Sequence, residues 1–238
     1  MVIFVLVPDF HHARHVHVST TKQRHVAAIT VAVATMGHFP WSRVIQYLIA
    51  QHLGGFAAGL MIFLTFHDPI SHTIKESILS TNSTLGGLQQ TAHLFCSSPA
   101  PHASALGAFA GSFWGTAVFL IGIAAILDQQ SNMKPPKWYW PLGVALVLMI
   151  SLAAFGHNGG PSVNPAADLA PRIFASLAGW DSVLWSAQGG KYWWIGGLLG
   201  PHLGAIFGLW FYRFCIGAHK PEEPAIADET ELERLNKA

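Results

Sequence analysis

The sequence predicts an all-α membrane protein, and three observations carry that reading. Only 11% of the 238 residues are charged while 51% are hydrophobic, against about 25% charged in a soluble globular domain. Four stretches, residues 44–66, 106–127, 138–155 and 192–212, are apolar and contain no Asp, Glu, Lys or Arg; a helix needs about 20 such residues to cross a bilayer. Gly196, Gly200, Gly204 and Gly208 recur every fourth residue in the last stretch, as Gly55 and Gly59 do in the first. That spacing lets another helix backbone come close.

Residues 1–24 are unlike the rest. Residues 1–7 are apolar but too short to span, and they lack the basic start and small-residue cleavage site of a signal peptide. His11, His12, His15 and His17 follow, with Arg14, Lys22 and Arg24. Such a tract can bind transition metals; the plainer reading is a polar tail without special chemistry. Residues 25–220 form the membrane domain. It opens with an apolar segment, 26–35, too short to cross alone, which reads as a half-helix ahead of the first span at 44–66. A long polar loop runs from 67 to 105, and the spans at 106–127 and 138–155 come next. A second half-helix at 165–177 precedes the last span, 192–212, and an acidic, Pro-bounded tail occupies 221–238.

Trp138, Trp140, Trp193 and Trp194 stand at span ends, as interfacial aromatics do. The basic residues cluster at Arg43, at Lys134 and Lys137, and at Arg213 and Lys220. The positive-inside rule puts those three places and the C-terminus in the cytoplasm, with the 67–105 loop and the 156–191 segment outside. Net charge is +1, which gives no argument for nucleic acid or an acidic partner. Two cysteines are too few for a disulfide framework. Cys215, ending an apolar run, is expected to be a buried free thiol; Cys96, in the polar loop, is either free or a point of modification.

A faint repeat links His52-Leu53-Gly54 in the first span to His202-Leu203-Gly204 in the last, each span following a short apolar segment. Inverted repeats with half-helices meeting at the midplane are common in transporters and channels. The second repeat reads span, span, half-helix, span; the first shows only half-helix and span. His52 and His202 are expected to make inter-helix hydrogen bonds. Pro201 should need a neighbour to satisfy the carbonyl it frees.

Asn164-Pro165-Ala166 is the most informative string. Asn is a preferred helix N-cap, and Pro suits the first helical turn. Asp168 lies in that turn, where a negative charge suits the helix dipole, and Arg172 can pair with it four residues on.

With its flanks, this string makes the chain resemble an aquaglyceroporin, the glycerol branch of the aquaporin (major intrinsic protein) family, over about residues 26–217. Asp168 two places after the motif, Pro171 and Arg172, Asp128 and Asn132, the long 67–105 loop and Ala178-Gly179-Trp180 resemble that branch. Met36-Gly37-His38-Phe39-Pro40-Trp41 looks like the segment after the family's first motif. The resemblance implies an aquaporin-like right-handed helical bundle with inverted repeats and re-entrant half-helices, in which the first two transmembrane helices are missing at an apparently truncated N-terminus. It also implies a pore within each subunit. The Asn164 amide would donate to a water or polyol hydroxyl, and carbonyls of Gly160, Pro161, Ser162 and Val163 would accept.

Several positions depart from the family pattern. Where the family has a filter Arg, directly after the motif, stands Ala167; the filter position often aromatic in glycerol channels is Pro161; the position usually Gly is Leu152. Val26-Ala27-Ala28 stands where the first Asn-Pro-Ala belongs, and Ser112 where a buried Glu is usual. Losing Arg and Asn removes fixed donors and positive potential, so cation exclusion should weaken.

The expected function is therefore passive passage of glycerol, water and other small neutral solutes through a multi-pass protein of the plasma membrane. The resemblance implies a tetramer, or a hetero-oligomer with full-length relatives. The alternative is a truncated, non-conducting family member that associates with full-length aquaglyceroporins and modulates them. No nucleophile–base pairing points to an enzyme, and no cofactor or metal is expected.

Overall fold

The computed structural model describes residues 26–128, 135–158, 160 and 162–217. The tails, Asn132, Lys134 and Pro161 lie outside the described residues.

Among the described residues four helices are long and apolar enough to cross a membrane, at Trp41–Thr65, Ala105–Leu127, Lys137–Asn158 and Tyr192–Cys215. They match the four expected spans to within three residues at each end. In chain order the elements are α1 (Ala27–Thr35), α2 (Trp41–Thr65), α3 (His67–Thr81), α4 (Leu85–Ala92), α5 (Ala105–Leu127), α6 (Trp140–Phe155), α7 (Pro165–Ala175), α8 (Asp181–Leu184), α9 (Tyr192–Trp194) and α10 (Gly200–Cys215). The short α1 and α7 are the two half-helices. The expected loop at 67–105 contains two helices, α3 and α4, packed on each other. The α3 sequence is polar, so composition concealed a helix that docks on the bundle through Ile70.

The glycine stripe finds its partner in α5. A Cβ on Gly204 would stand 2.2 Å from the Phe113 carbonyl oxygen, and one on Gly208 would stand 2.5 Å from that of Ala117. Both distances are forbidden to a real side chain, so glycine is what allows the two spans to cross this closely. On α2, Gly55 lies against Ala166 and Ala170 and Gly59 against Phe174, which seats α7 along the first span. One apolar cluster joins α1, α5, α6 and α10 through Ala32, Val33, Leu120, Leu148, Val163 and Ala205. A second gathers Ile62, Ile70, Phe95, Ala175, Trp180 and Leu184 around the α3–α4 end.

Two expectations are corrected. Each repeat-related histidine bonds within its own helix: His52 Nδ1 lies 2.7 Å from the Leu48 carbonyl and His202 Nδ1 2.8 Å from that of Leu198. The carbonyl one turn back is always in reach, whereas a partner helix is not. The expected burial of Cys215 is also corrected, while Cys96 is a free thiol, one of the two readings left open for it. Cys96 is buried and Cys215 exposed, because Cys215 falls on the outer side of α10 at its final residue.

Candidate functional site

The site begins with helix capping. Asn164 has extended backbone, and its side-chain Oδ1 accepts from the Ala166 amide at 3.2 Å, capping α7. Pro165 follows at the first position, where its missing N–H costs nothing. At the start of α1, Val26 has no side-chain oxygen and makes no cap. The Ala27 amide instead donates to the same Asn164 Oδ1 at 3.3 Å. One asparagine thus caps two helices, 137 residues apart in sequence. The two donors fix which end of the amide is oxygen. Asn164 Nδ2 has no partner among the described residues.

Leading into Asn164 is a stretch of non-helical backbone, tied down from the last span. Tyr192 donates its hydroxyl to the Gly160 carbonyl at 3.3 Å. The Ser162 hydroxyl donates to the Gly197 carbonyl at 3.1 Å. Pro201 has no N–H, so the Gly197 carbonyl four residues before it lacks its helical donor; Ser162 supplies the bond that Pro201 removes. Ser162 and Val163 are buried, and Gly160 is exposed.

Below the cap, α7 carries an ion pair in the interior. Arg172 Nη2 lies 3.1 Å from Asp168 Oδ2, and the two side chains are 1% and 6% exposed. Burying such a pair costs least where the remaining donors and acceptors are matched, and here Arg172 Nε alone of the guanidinium nitrogens has no partner among the described residues. Asp168 Oδ1 accepts from the Ser97 amide at 2.7 Å and from the Ser97 hydroxyl. Arg172 donates to the Leu184 carbonyl at 2.6 Å and the Ser97 carbonyl at 2.7 Å. The half-helix is thereby locked to the segment after α4 and to α8. Beside it, burial pushes the Cys96 thiol up to about 12, so that thiol stays neutral.

The structure brings Ala27, Asn164, Ala166, Ser162 and Val163 together around the shared cap. Ala167 is half-buried in the first turn of α7, its amide donating to the Asn164 carbonyl at 3.0 Å. Leu152 packs, partly buried, against the apolar cluster that contains Val163 and the buried Ala28. Ser112 is buried against the Gly200 position. Ser97, Tyr192 and Gly197 were not anticipated from the sequence. The bonds from Ser97 to Asp168 cross 71 residues of chain, and no local pattern announces them.

The comparisons with known proteins agree with this arrangement. The profile described as Major intrinsic protein matches residues 13–212. Human aquaporin-9 is 33% identical over 199 residues, which cover 84% of this chain and 65% of that protein. Aquaporin-2 of Milnesium tardigradum is 32% identical, with 82% and 58% covered, and human aquaporin-10 is 31% identical, with 85% and 64% covered. The chain spans less than two thirds of the length of these curated relatives. Among solved structures, the aquaglyceroporin from Plasmodium falciparum superposes with a TM-score of 0.64 at 20% identity, covering 81% of this chain and 73% of that one; this is a likeness of fold. With four spans and two half-helices joined at Asn164 among the described residues, and a family match across most of its length, this multi-pass membrane chain belongs to the major intrinsic protein family.

Proposed function

We propose that the chain is a passive conduit for water, glycerol and similar small neutral solutes. The observation that carries this reading is the cap shared by Ala27 and Asn164. It holds the N-termini of two half-helices at one point, where their positive dipole ends disfavour a cation. The Asn164 oxygen is occupied by two backbone donors, so the amide NH2 is the group left to donate to a passing hydroxyl. The carbonyls of Ser162 and Val163 supply acceptors, and irregular backbone at membrane depth is tolerated where it lines a water-filled path. Leu152 and Val163, both part of the neighbouring apolar cluster, would offer apolar surface to the CH face of a polyol. Passage along such a path makes and breaks no covalent bond, so the activity is transport and not catalysis. Ala167, in place of a cationic filter residue, leaves cation exclusion to the helix dipoles alone.

In this reading the chain lies in the plasma membrane with its C-terminus in the cytoplasm, as a homo-oligomer or together with full-length relatives. A second reading, a non-conducting partner of such relatives, draws support from the apolar flank of α2. Ile45, Ile49, Leu53 and Leu64 are more than half exposed there. Stopped-flow swelling of vesicles containing only this chain separates the two. Glycerol permeability above that of protein-free vesicles supports the conduit, and permeability equal to theirs with co-purification of a full-length relative supports the partner.

A further inference from the structure

Two histidines outside the capped site stand together at the end of the bundle that carries α3 and α4. His102 occupies a tight turn closed by the Ala103 amide donating to the Ala100 carbonyl at 2.9 Å. His157 lies in the single helical turn, Gly156–Asn158, that ends the third span. Their ring centroids are 5.3 Å apart at an interplanar angle of 41°. Neither position is a fraying loop tip. The Ala100 amide donates to the Asn158 carbonyl at 3.2 Å, tying the turn to the helix end one residue from His157. Gln188 Nε2 donates to the Ala103 carbonyl at 2.7 Å and pins the other side of the turn. Asn158 in turn reaches the Gly107 carbonyl at 3.5 Å at the start of α5.

We propose that His102 and His157 form a binding site for a divalent transition-metal ion of the zinc, nickel or copper class. Imidazole nitrogen suits these ions. Two imidazoles sharing one tetrahedral ion at metal–nitrogen distances of about 2.0–2.1 Å place their centroids about 5 Å apart, the separation found here. The backbone around both residues is held by hydrogen bonds, so the ring separation is fixed before an ion arrives. Both side chains are exposed, which leaves the site open to the solution and removes no core packing when an ion binds. No cluster of three or more His, Cys, Asp or Glu exists among the described residues; water fills the remaining coordination positions. The ion would join the turn at 100–103 to the end of α6, just before the backbone that leads to Asn164.

The test is calorimetric titration of the detergent-solubilised full chain with zinc chloride alone. His11, His12, His15 and His17 are replaced by Gln in the background so that the N-terminal tract does not contribute. We expect a one-site isotherm. Because the second ligand binds intramolecularly once the first is engaged, either His102→Gln or His157→Gln weakens binding roughly a hundredfold, and the double substitution weakens it little further. No one-site isotherm in the background, or one that survives either single substitution, overturns the proposal and leaves the two rings in plain contact. Glycerol permeability measured without metal is unchanged in both variants, so loss of metal binding is distinguishable from failure of conduction.

Discussion

The Ala27 amide and the Asn164 side-chain oxygen meet at 3.3 Å, and this one bond joins the two half-helices. The first turn of α1 presents bare amides because Val26 cannot cap it. Asn164 satisfies one of them while capping its own helix. The α1 sequence, with no capping side chain, therefore depends on α7 for its start. Replacing Asn164 by Ala removes both bonds and should cost about 1–4 kcal/mol, two cap losses of about 0.5–2 kcal/mol each. Thermal melting in detergent reads the loss; an unchanged melting temperature would show that neither helix relies on this cap.

Asp168 and Arg172 make the strongest stability prediction. Asp168→Ala leaves an arginine that is 1% exposed without its counter-charge and should destabilise by about 3–5 kcal/mol. Ser97→Ala removes one hydroxyl donor to a carboxylate and should cost less, about 1.5–3 kcal/mol. The two residues are in contact, so the double variant should lose less than the sum. A melting series over the four proteins checks the order, and a milder effect for Asp168→Ala than for Ser97→Ala would contradict the bracing role.

The α5–α10 crossing is set by backbone contact. Gly204→Ala places a methyl group 2.2 Å from the Phe113 carbonyl oxygen, whereas Gly160→Ala meets nothing closer than 3.6 Å. The first should therefore lose about 1–3 kcal/mol through overpacking and the second little. Size-exclusion profiles and melting temperatures of the pair decide; equal behaviour would mean that the spans can separate at no cost.

Thiol chemistry distinguishes the two cysteines. Cys96 is buried with its thiol pushed up to about 12, and Cys215 is exposed. The thiolate is the reactive form, so a rise of pH toward 12, not toward the ordinary thiol range, is needed to ionise Cys96. Maleimide at pH 8 should add once to the native protein, at Cys215, and twice after denaturation in SDS. Peptide mass spectrometry checks this, and native labelling of Cys96 would show that its surroundings open.

What the sequence made legible follows from which interactions are local. The spans, the Asn164 cap, Pro165 and the Asp168–Arg172 spacing depend on neighbours within four residues. The chain states these directly. The Pro201 kink was legible as a missing donor but not as a bond from Ser162, because a backbone vacancy names no partner. Ser97 and Tyr192 reach the site from 71 and 32 residues away, and only packing brings them there. His52 and His202 show the opposite error: a polar residue in an apolar span invites a tertiary partner, yet the carbonyl one turn back satisfies it. Cys215 was misjudged because an apolar run has an outward side as well as a packed one, and Cys215 is exposed at its end.

Conduction past the shared cap is tested most directly by comparing the wild-type chain with Asn164→Asp in the same vesicles. Aspartate keeps an oxygen for the Ala27 and Ala166 amides, so the fold should survive. It replaces the NH2 donor with a negative charge at the positive helix ends. Stopped-flow measurement should give wild-type glycerol permeability above protein-free vesicles, and the variant should fall to the protein-free level while its cation leak rises. A wild-type chain no more permeable than bare lipid, or a variant that passes glycerol as fast as wild type, would contradict the account.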